Sequence, residues 1–227
     1  MASCNPAPTP TEAPGPLAAS SLRDGVQPGG SGGAPTDANA IQISLVGLPG
    51  GGKSSVGRHL ARSLGWRFID SDTEIERQIG CPIRDYFERH GEPAFRDIEQ
   101  AVVDRLVAQP GTVLATGGGV VLREANRLVL SRHSSVVYLH SKPEELFRRL
   151  RHDTHRPLLQ VKDPLRKLRD LFAERDPLYR RTAHFVIETG RPSIATLVHM
   201  VLMQLELAGL VDAQQVPSPV EPRSAER

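Results

Sequence analysis

The chain has 227 residues, two cysteines and a formal net charge of +2. That length suits one ordinary α/β domain with tails, and it is enough to bury a core. The near-neutral charge argues against a general nucleic-acid footprint, and no apolar run is long enough to span a membrane. Cys4 and Cys81 lie far apart along the chain, in no metal spacing and with no disulfide framework, which fits a reducing compartment.

Residues 1–40 are rich in Pro, Ala, Gly, Ser and Thr and poor in large apolar side chains, so they are expected to be disordered. They lack the apolar centre of a secretion signal, and their few arginines and several acids disfavour a transit peptide. The predicted domain spans 41–211, and a second polar, proline-rich tail follows over 212–227.

Ile41 to Val46 reads as a buried strand. It leads into Gly47-Leu48-Pro49-Gly50-Gly51-Gly52-Lys53-Ser54, which fits the phosphate-loop pattern of Gly, four residues, then Gly-Lys-Ser/Thr. Ser55 onward reads as a helix, with Val56, Leu60 and Leu64 on one face. The glycines therefore lie between a strand and a helix N-terminus, where free N–H groups and the helix dipole favour phosphate oxygens. Lys53 is placed to reach the β- and γ-phosphates, and Ser54 to ligate Mg²⁺.

Gly65 is a plausible helix stop. Trp66 to Ile69 is a short strand ending in Asp70-Ser71-Asp72. Acids at the carboxyl end of a strand in an open α/β sheet sit where ligands bind. Ser71 or Asp72 could instead cap the helix carrying Ile75 and Ile79. With two acids following a phosphate loop, one can hold Mg²⁺ through water and the other can accept a proton from an attacking hydroxyl. Ile83 to His90 and a segment opened by Glu92-Pro93 are predicted as two helices separated by Gly91. Arg96, in the first turn of the second, is either one half of a surface ion pair or an anion clamp.

Thr112 to Thr116 is a buried strand running into Gly117-Gly118-Gly119. Consecutive glycines cost chain entropy. A backbone that comes close to a ligand explains them, and a loose loop is the alternative. Leu122 to Leu130 is helical, and Val136 to Leu139 is the fourth strand. Pro143 opens a helix over Glu144 to Arg151. That helix ends in a basic cluster of Arg148, Arg149, Arg151, His152, His155 and Arg156, followed by Pro157-Leu158-Leu159. The pattern suggests a mobile cover that meets phosphates. His152 and His155 have no carboxylate or cysteine in register to make a metal set.

Leu165, Leu168, Leu171 and Phe172 mark a helix that Arg175-Asp176-Pro177-Leu178-Tyr179 is expected to break. His184 to Glu188 is the fifth strand, and Gly190-Arg191-Pro192 turns the chain. Ser193 caps a last helix with Ile194, Leu197, Val198, Val201, Leu202 and Leu205 facing inward. This alternation demands a parallel sheet with right-handed crossovers. The residues alone describe a small phosphate-loop protein that binds ATP or GTP with Mg²⁺. A small acceptor bearing a carboxylate would suit its isolated arginines.

Taken together, the phosphate loop, Asp70-Ser71-Asp72, Gly91-Glu92 with Phe95-Arg96 and Glu99, Gly117-Gly118-Gly119, Arg156-Pro157-Leu158-Leu159, and Arg175 with Pro177-Leu178-Tyr179 resemble shikimate kinase over about residues 41–208. The resemblance implies a nucleoside monophosphate kinase-like α/β fold, with five parallel strands in order 2-3-1-4-5 and a lid over about 151–164. It implies transfer of the ATP γ-phosphoryl group to the 3-hydroxyl of shikimate, by a cytoplasmic monomer requiring Mg²⁺, with no nucleic-acid or membrane partner.

Carried over by position, Asp72 is implied as base and ring-hydroxyl ligand, and Asp70 as a Mg²⁺ ligand through water beside Ser54. Arg96 and Arg175 are implied to grip the shikimate carboxylate, and Gly117, Gly118 and Gly119 to line the ring. Gly50, Gly51, Gly52, Lys53, Ser54 and Ser55 are implied to cradle ATP. Arg149 is implied to stack on adenine with Pro192 completing that pocket, and Arg156 to stabilise the transferring phosphoryl group. Two rival readings are a kinase for another small acid or sugar such as gluconate, expected to lack this acceptor set, and a non-catalytic nucleotide binder, expected to have lost Lys53, Asp72 or Arg156. Nucleic-acid binding through 148–156 is a weaker third, opposed by the net charge.

Overall fold

A computed structural model describes residues 41–150, 161–190 and 192–212. Five parallel strands form one sheet in the order β2-β3-β1-β4-β5, as expected. They are β1 (Gln42–Val46), β2 (Arg67–Asp70), β3 (Thr112–Ala115), β4 (Ser135–His140) and β5 (Phe185–Glu188). The central strands β1 and β3 are buried at every position, because helices cover both faces.

On one face, α1 (Lys53–Leu64) and α7 (Ile194–Leu207) pack Val56, Leu60, Leu64, Val201 and Leu205 against Ile43, Leu45 and Leu139. On the other lie α2 (Ser71–Ile79), α3 (Ile83–Val107), α4 (Glu124–His133), α5 (Pro143–Leu150) and α6 (Pro164–Thr182). Alternation along β1 divides the two cores: Ile43 and Leu45 face α1, and Val46 faces the opposite layer.

Local chemistry sets the boundaries. Gly65 ends α1 with φ 68° and donates to Ala61 O and Arg62 O. The expected split at Gly91 is present as a break inside α3, where φ 77° and ψ 173° interrupt the helix and Pro93 opens its second half. Ser193 caps α7, its hydroxyl accepting from Thr196 N at 3.2 Å.

Three expectations need correction. Pro177 does not break the helix around it, and α6 runs through to Thr182. The missing hydrogen bond is outweighed by contacts on either side of it, with Tyr179 fully buried and Asp176 and Arg175 anchored to other elements. Ile194 is 42% exposed rather than inward, since it lies on the first turn of α7 beyond the reach of the core. Pro164 belongs to α6 and not to a cover segment, because Asp163 caps that helix by accepting from Arg166 N at 2.9 Å. Cys4, one of the two cysteines of the chain, lies outside the described residues. The expected tails, and residues 151–160 of the expected cover with Arg156, also lie outside the described residues.

Candidate active site

The site is built at the carboxyl ends of β1, β2 and β3, where the chain leaves the sheet in three loops. The first is the phosphate loop. Gly52 has φ 89° and precedes α1, a left-handed conformation that suits glycine. Lys53 is 8% exposed, and its Nζ donates to Gly47 O at 2.9 Å and Leu48 O at 3.1 Å. The ammonium is thereby drawn back over its own loop. Gly50, Gly52, Lys53, Ser54 and Ser55 line a cavity of about 430 Å³. Gly51 turns inward instead, donating to Leu48 O at 3.1 Å.

The second loop carries the acids. Asp70 caps α2, its Oδ1 accepting from Asp72 N at 3.1 Å. Its Oδ2 accepts from Ser54 Oγ at 2.6 Å. The cap is therefore neither Ser71 nor Asp72. Ser71 is fully buried and accepts from Gly117 N at 2.9 Å, which leaves the Asp72 carboxylate free to face the cavity. Burial, and then the negative charge of Asp70, pushes the Asp72 carboxyl up to about 6, with Lys53 pulling the other way.

The third loop is the triple glycine, and its need for glycine comes from protein side chains. A Cβ at Gly117 would lie 2.6 Å from Asp72 Oδ1, and one at Gly118 would lie 2.6 Å from Pro49 Cδ. A Cβ at Gly119 would overlap the Arg96 guanidinium.

Behind this loop, α3 and α6 bring up two arginines. Arg96 donates to Glu99 Oε2 at 2.7 Å and to Glu92 Oε1 at 2.9 Å, so the ion-pair reading holds. It also lines a second cavity, of about 770 Å³, with Asp72, Phe87, Phe95 and the three glycines. Glu99 is 1% exposed, and burial raises its carboxyl even though Arg96 opposes the shift. Arg175 Nη1 donates to Gly118 O at 3.1 Å, so Arg175 braces the loop from behind rather than lining the cavity. Pro49, Asp72 and Gly118 line both cavities. The phosphate-loop cavity and the Arg96-bearing cavity thus share one wall, and a carboxylate stands in it.

Arg149 donates to Thr189 O, just past the end of β5, and Pro192 follows three residues further along the chain. Sequence reasoning gave no role to Tyr179, whose hydroxyl donates to Gly118 O at 2.5 Å, or to the apolar floor formed by Ile83, Phe87 and Phe95. Helical spacing marks those residues as core, and no local signal separates a cavity floor from a core face.

A family model described as shikimate kinase matches residues 49–206. The chain belongs to the shikimate kinase family. A shikimate kinase of Paracidovorax citrulli is 57% identical over 182 residues, covering 79% of this chain and 97% of the relative. One from Ralstonia nicotianae is 52% identical over 177 residues, covering 78% and 93%. Among solved structures, shikimate kinase from Acinetobacter baumannii in complex with shikimate superposes with a TM-score of 0.71 at 46% identity, covering 75% of this chain and 96% of that one. The family match starts inside the phosphate loop, at Pro49, and ends in α7, so the rest of that loop, the acids after β2 and the triple glycine fall within it.

Proposed function

We propose that this chain transfers the γ-phosphoryl group of ATP to the 3-hydroxyl of shikimate, giving shikimate 3-phosphate and ADP, a step towards aromatic amino acids. The observation that carries the reading is the shared wall: Asp72 lines both the phosphate cavity and the arginine-bearing cavity beside it. A hydroxyl bound in the second is held facing the first.

The roles follow from position. The phosphate-loop backbone and the start of α1 hold the phosphates, and Lys53 swings from its loop carbonyls onto the β- and γ-oxygens. Asp72 orients the acceptor hydroxyl and takes its proton late in the transfer; its raised pKa leaves it mostly ionised near neutrality yet basic enough to accept. Arg96, which lines the acceptor cavity, neutralises the acceptor carboxylate; the same role for Arg175, which stands behind Gly118, rests on the family resemblance. Phosphoryl transfer asks for this positioning and charge neutralisation more than for covalent chemistry.

Mg²⁺ fits the residues present. Ser54 Oγ and Asp70 Oδ2 are hard oxygen donors 2.6 Å apart, and among the described residues no set of three or more His, Cys, Asp or Glu forms a closed metal cage. That suits an ion which keeps water and phosphate oxygens as most of its ligands. Ser54 would hold it directly and Asp70 through water, and when bound it neutralises charge on the phosphates. Arg149 and Pro192 would flank adenine, and Arg156 would meet the transferring group; these roles rest on the family resemblance. On the same reading the enzyme acts as a monomer in the cytoplasm.

The test is coupled ADP release from purified protein with ATP and Mg²⁺, comparing shikimate, gluconate, quinate and no acceptor. Turnover with shikimate alone is expected. Turnover with another acceptor would keep the fold and replace the substrate, and ATP binding without acceptor-stimulated turnover would favour a non-catalytic nucleotide binder.

A further inference from the structure

Arg175 and Tyr179 sit one turn apart on α6, so both side chains leave the same helix face. They converge on one acceptor: Gly118 O receives the Arg175 Nη1–H at 3.1 Å and the Tyr179 hydroxyl at 2.5 Å. A carbonyl oxygen has two lone pairs, so both bonds form together. On its other side Gly118 is pressed against Pro49 of the phosphate loop. The peptide that walls both cavities is therefore clamped between the phosphate loop and α6. The Arg175 Nε is buried and lacks a hydrogen-bond partner, with Glu174 Oε2 3.7 Å from it.

We propose that Tyr179 is a positioning residue for the acceptor, its hydroxyl fixing the Gly118 carbonyl and with it the register of Arg175. The inference rests on the reading of this site as a shikimate kinase. Tyr179 is fully buried, and burial pushes its hydroxyl far above the ordinary tyrosine range, so it donates at any working pH. Without it, Gly118 and Arg175 remain bonded to each other, but the Gly118 peptide that walls the cavity can shift with Arg175 behind it.

The molecule supplies its own control. Tyr138 is equally buried, and its ring stacks on Tyr179 with centroids 4.9 Å apart. Its hydroxyl, however, donates to Asp176 Oδ1 at 2.9 Å and does not touch the glycine loop. Tyr179→Phe and Tyr138→Phe each remove one buried hydroxyl from the same aromatic stack.

Steady-state kinetics with shikimate and ATP, alongside thermal melts, separate the two roles. Tyr179→Phe is expected to raise KM for shikimate about three- to tenfold, the worth of one buried hydrogen bond, with KM for ATP unchanged. Tyr138→Phe is expected to lower Tm comparably and leave KM for shikimate alone. KM does not depend on the fraction of folded enzyme, so a less stable variant still reports on acceptor positioning. A shikimate-active wild type whose two variants behave alike would overturn this inference alone. A wild type that does not phosphorylate shikimate would overturn the functional reading and this inference with it.

Discussion

Asp72 and Glu99 meet across Gly117: a Cβ at that glycine would lie 2.6 Å from Asp72 Oδ1 and 3.2 Å from Glu99 Oε1. Two carboxylates from different helices share the space one methyl group would fill. Gly117→Ala must push one of them aside, and the Asp72 oxygen is the nearer. Displacement of a reacting group by about 1 Å can cost about 10²-fold. A loss of that order in kcat/KM for shikimate is expected, with KM for ATP little changed; wild-type kinetics would show that Asp72 is free to relax.

The raised Asp72 carboxyl predicts the pH profile. A base must be ionised, so kcat/KM for shikimate should rise with pH through about 6 and level off above it. Asp72→Asn should lower kcat by about 10²–10⁴-fold and abolish that limb. A profile unchanged in the Asn variant would remove Asp72 from the role of base.

The same group bears on stability. Its pKa is about 6 in the fold against 3.8 ordinarily, so the native state holds the proton more tightly between those values. Its contribution is most favourable below pH 3.8 and is lost as pH rises through about 6. Asp72→Asn should therefore melt higher than wild type at pH 7.5, by about 1–2 kcal/mol of stability, and the difference should close on acidification. A constant gap across pH would count against the raised pKa.

Arg96 joins Glu92 on the surface to the buried Glu99. Arg96→Ala should raise KM for shikimate at least tenfold by removing a charge-assisted contact. It should also destabilise the fold by about 1–3 kcal/mol, less than a fully dry pair because the site opens to water. Arg96→Lys should recover some stability and little affinity, since an ammonium cannot serve both glutamates in the same fork. Loss of ATP affinity in place of shikimate affinity would refute the clamp.

Ser54 and Asp70 make the proposed Mg²⁺ donors. Ser54→Ala should shift the Mg²⁺ titration of activity upward by about tenfold, and a chelator should silence the wild type. An unchanged titration would place the cation elsewhere.

Much of this was readable from residue order. The phosphate loop, the acid pair at the end of β2 and the triple glycine at the end of β3 declare themselves because strand patterning, turn chemistry and functional residues coincide there. Which acid caps α2 was not readable, because Asp70, Ser71 and Asp72 are all competent caps and tertiary contacts decide among them. Ser71 is claimed by Gly117 and Asp70 by Ser54, which leaves Asp72 for the cavity. Pro177 misled for a related reason: its local penalty is real, but Tyr179 and Asp176, anchored to other elements, hold the helix together. The roles of Glu99 and Tyr179 depend on partners far away in sequence, and spacing carries no trace of them.

The crossovers have one more result. Each site loop leaves the carboxyl end of a strand, while Ile41, Gln42 and Leu210 come together around a hollow at the opposite end of the sheet. Both ends of the folded domain thus emerge on the side away from the catalytic mouth. A tag or a second enzyme joined at either end of the described domain therefore starts from the end of the sheet opposite the site loops.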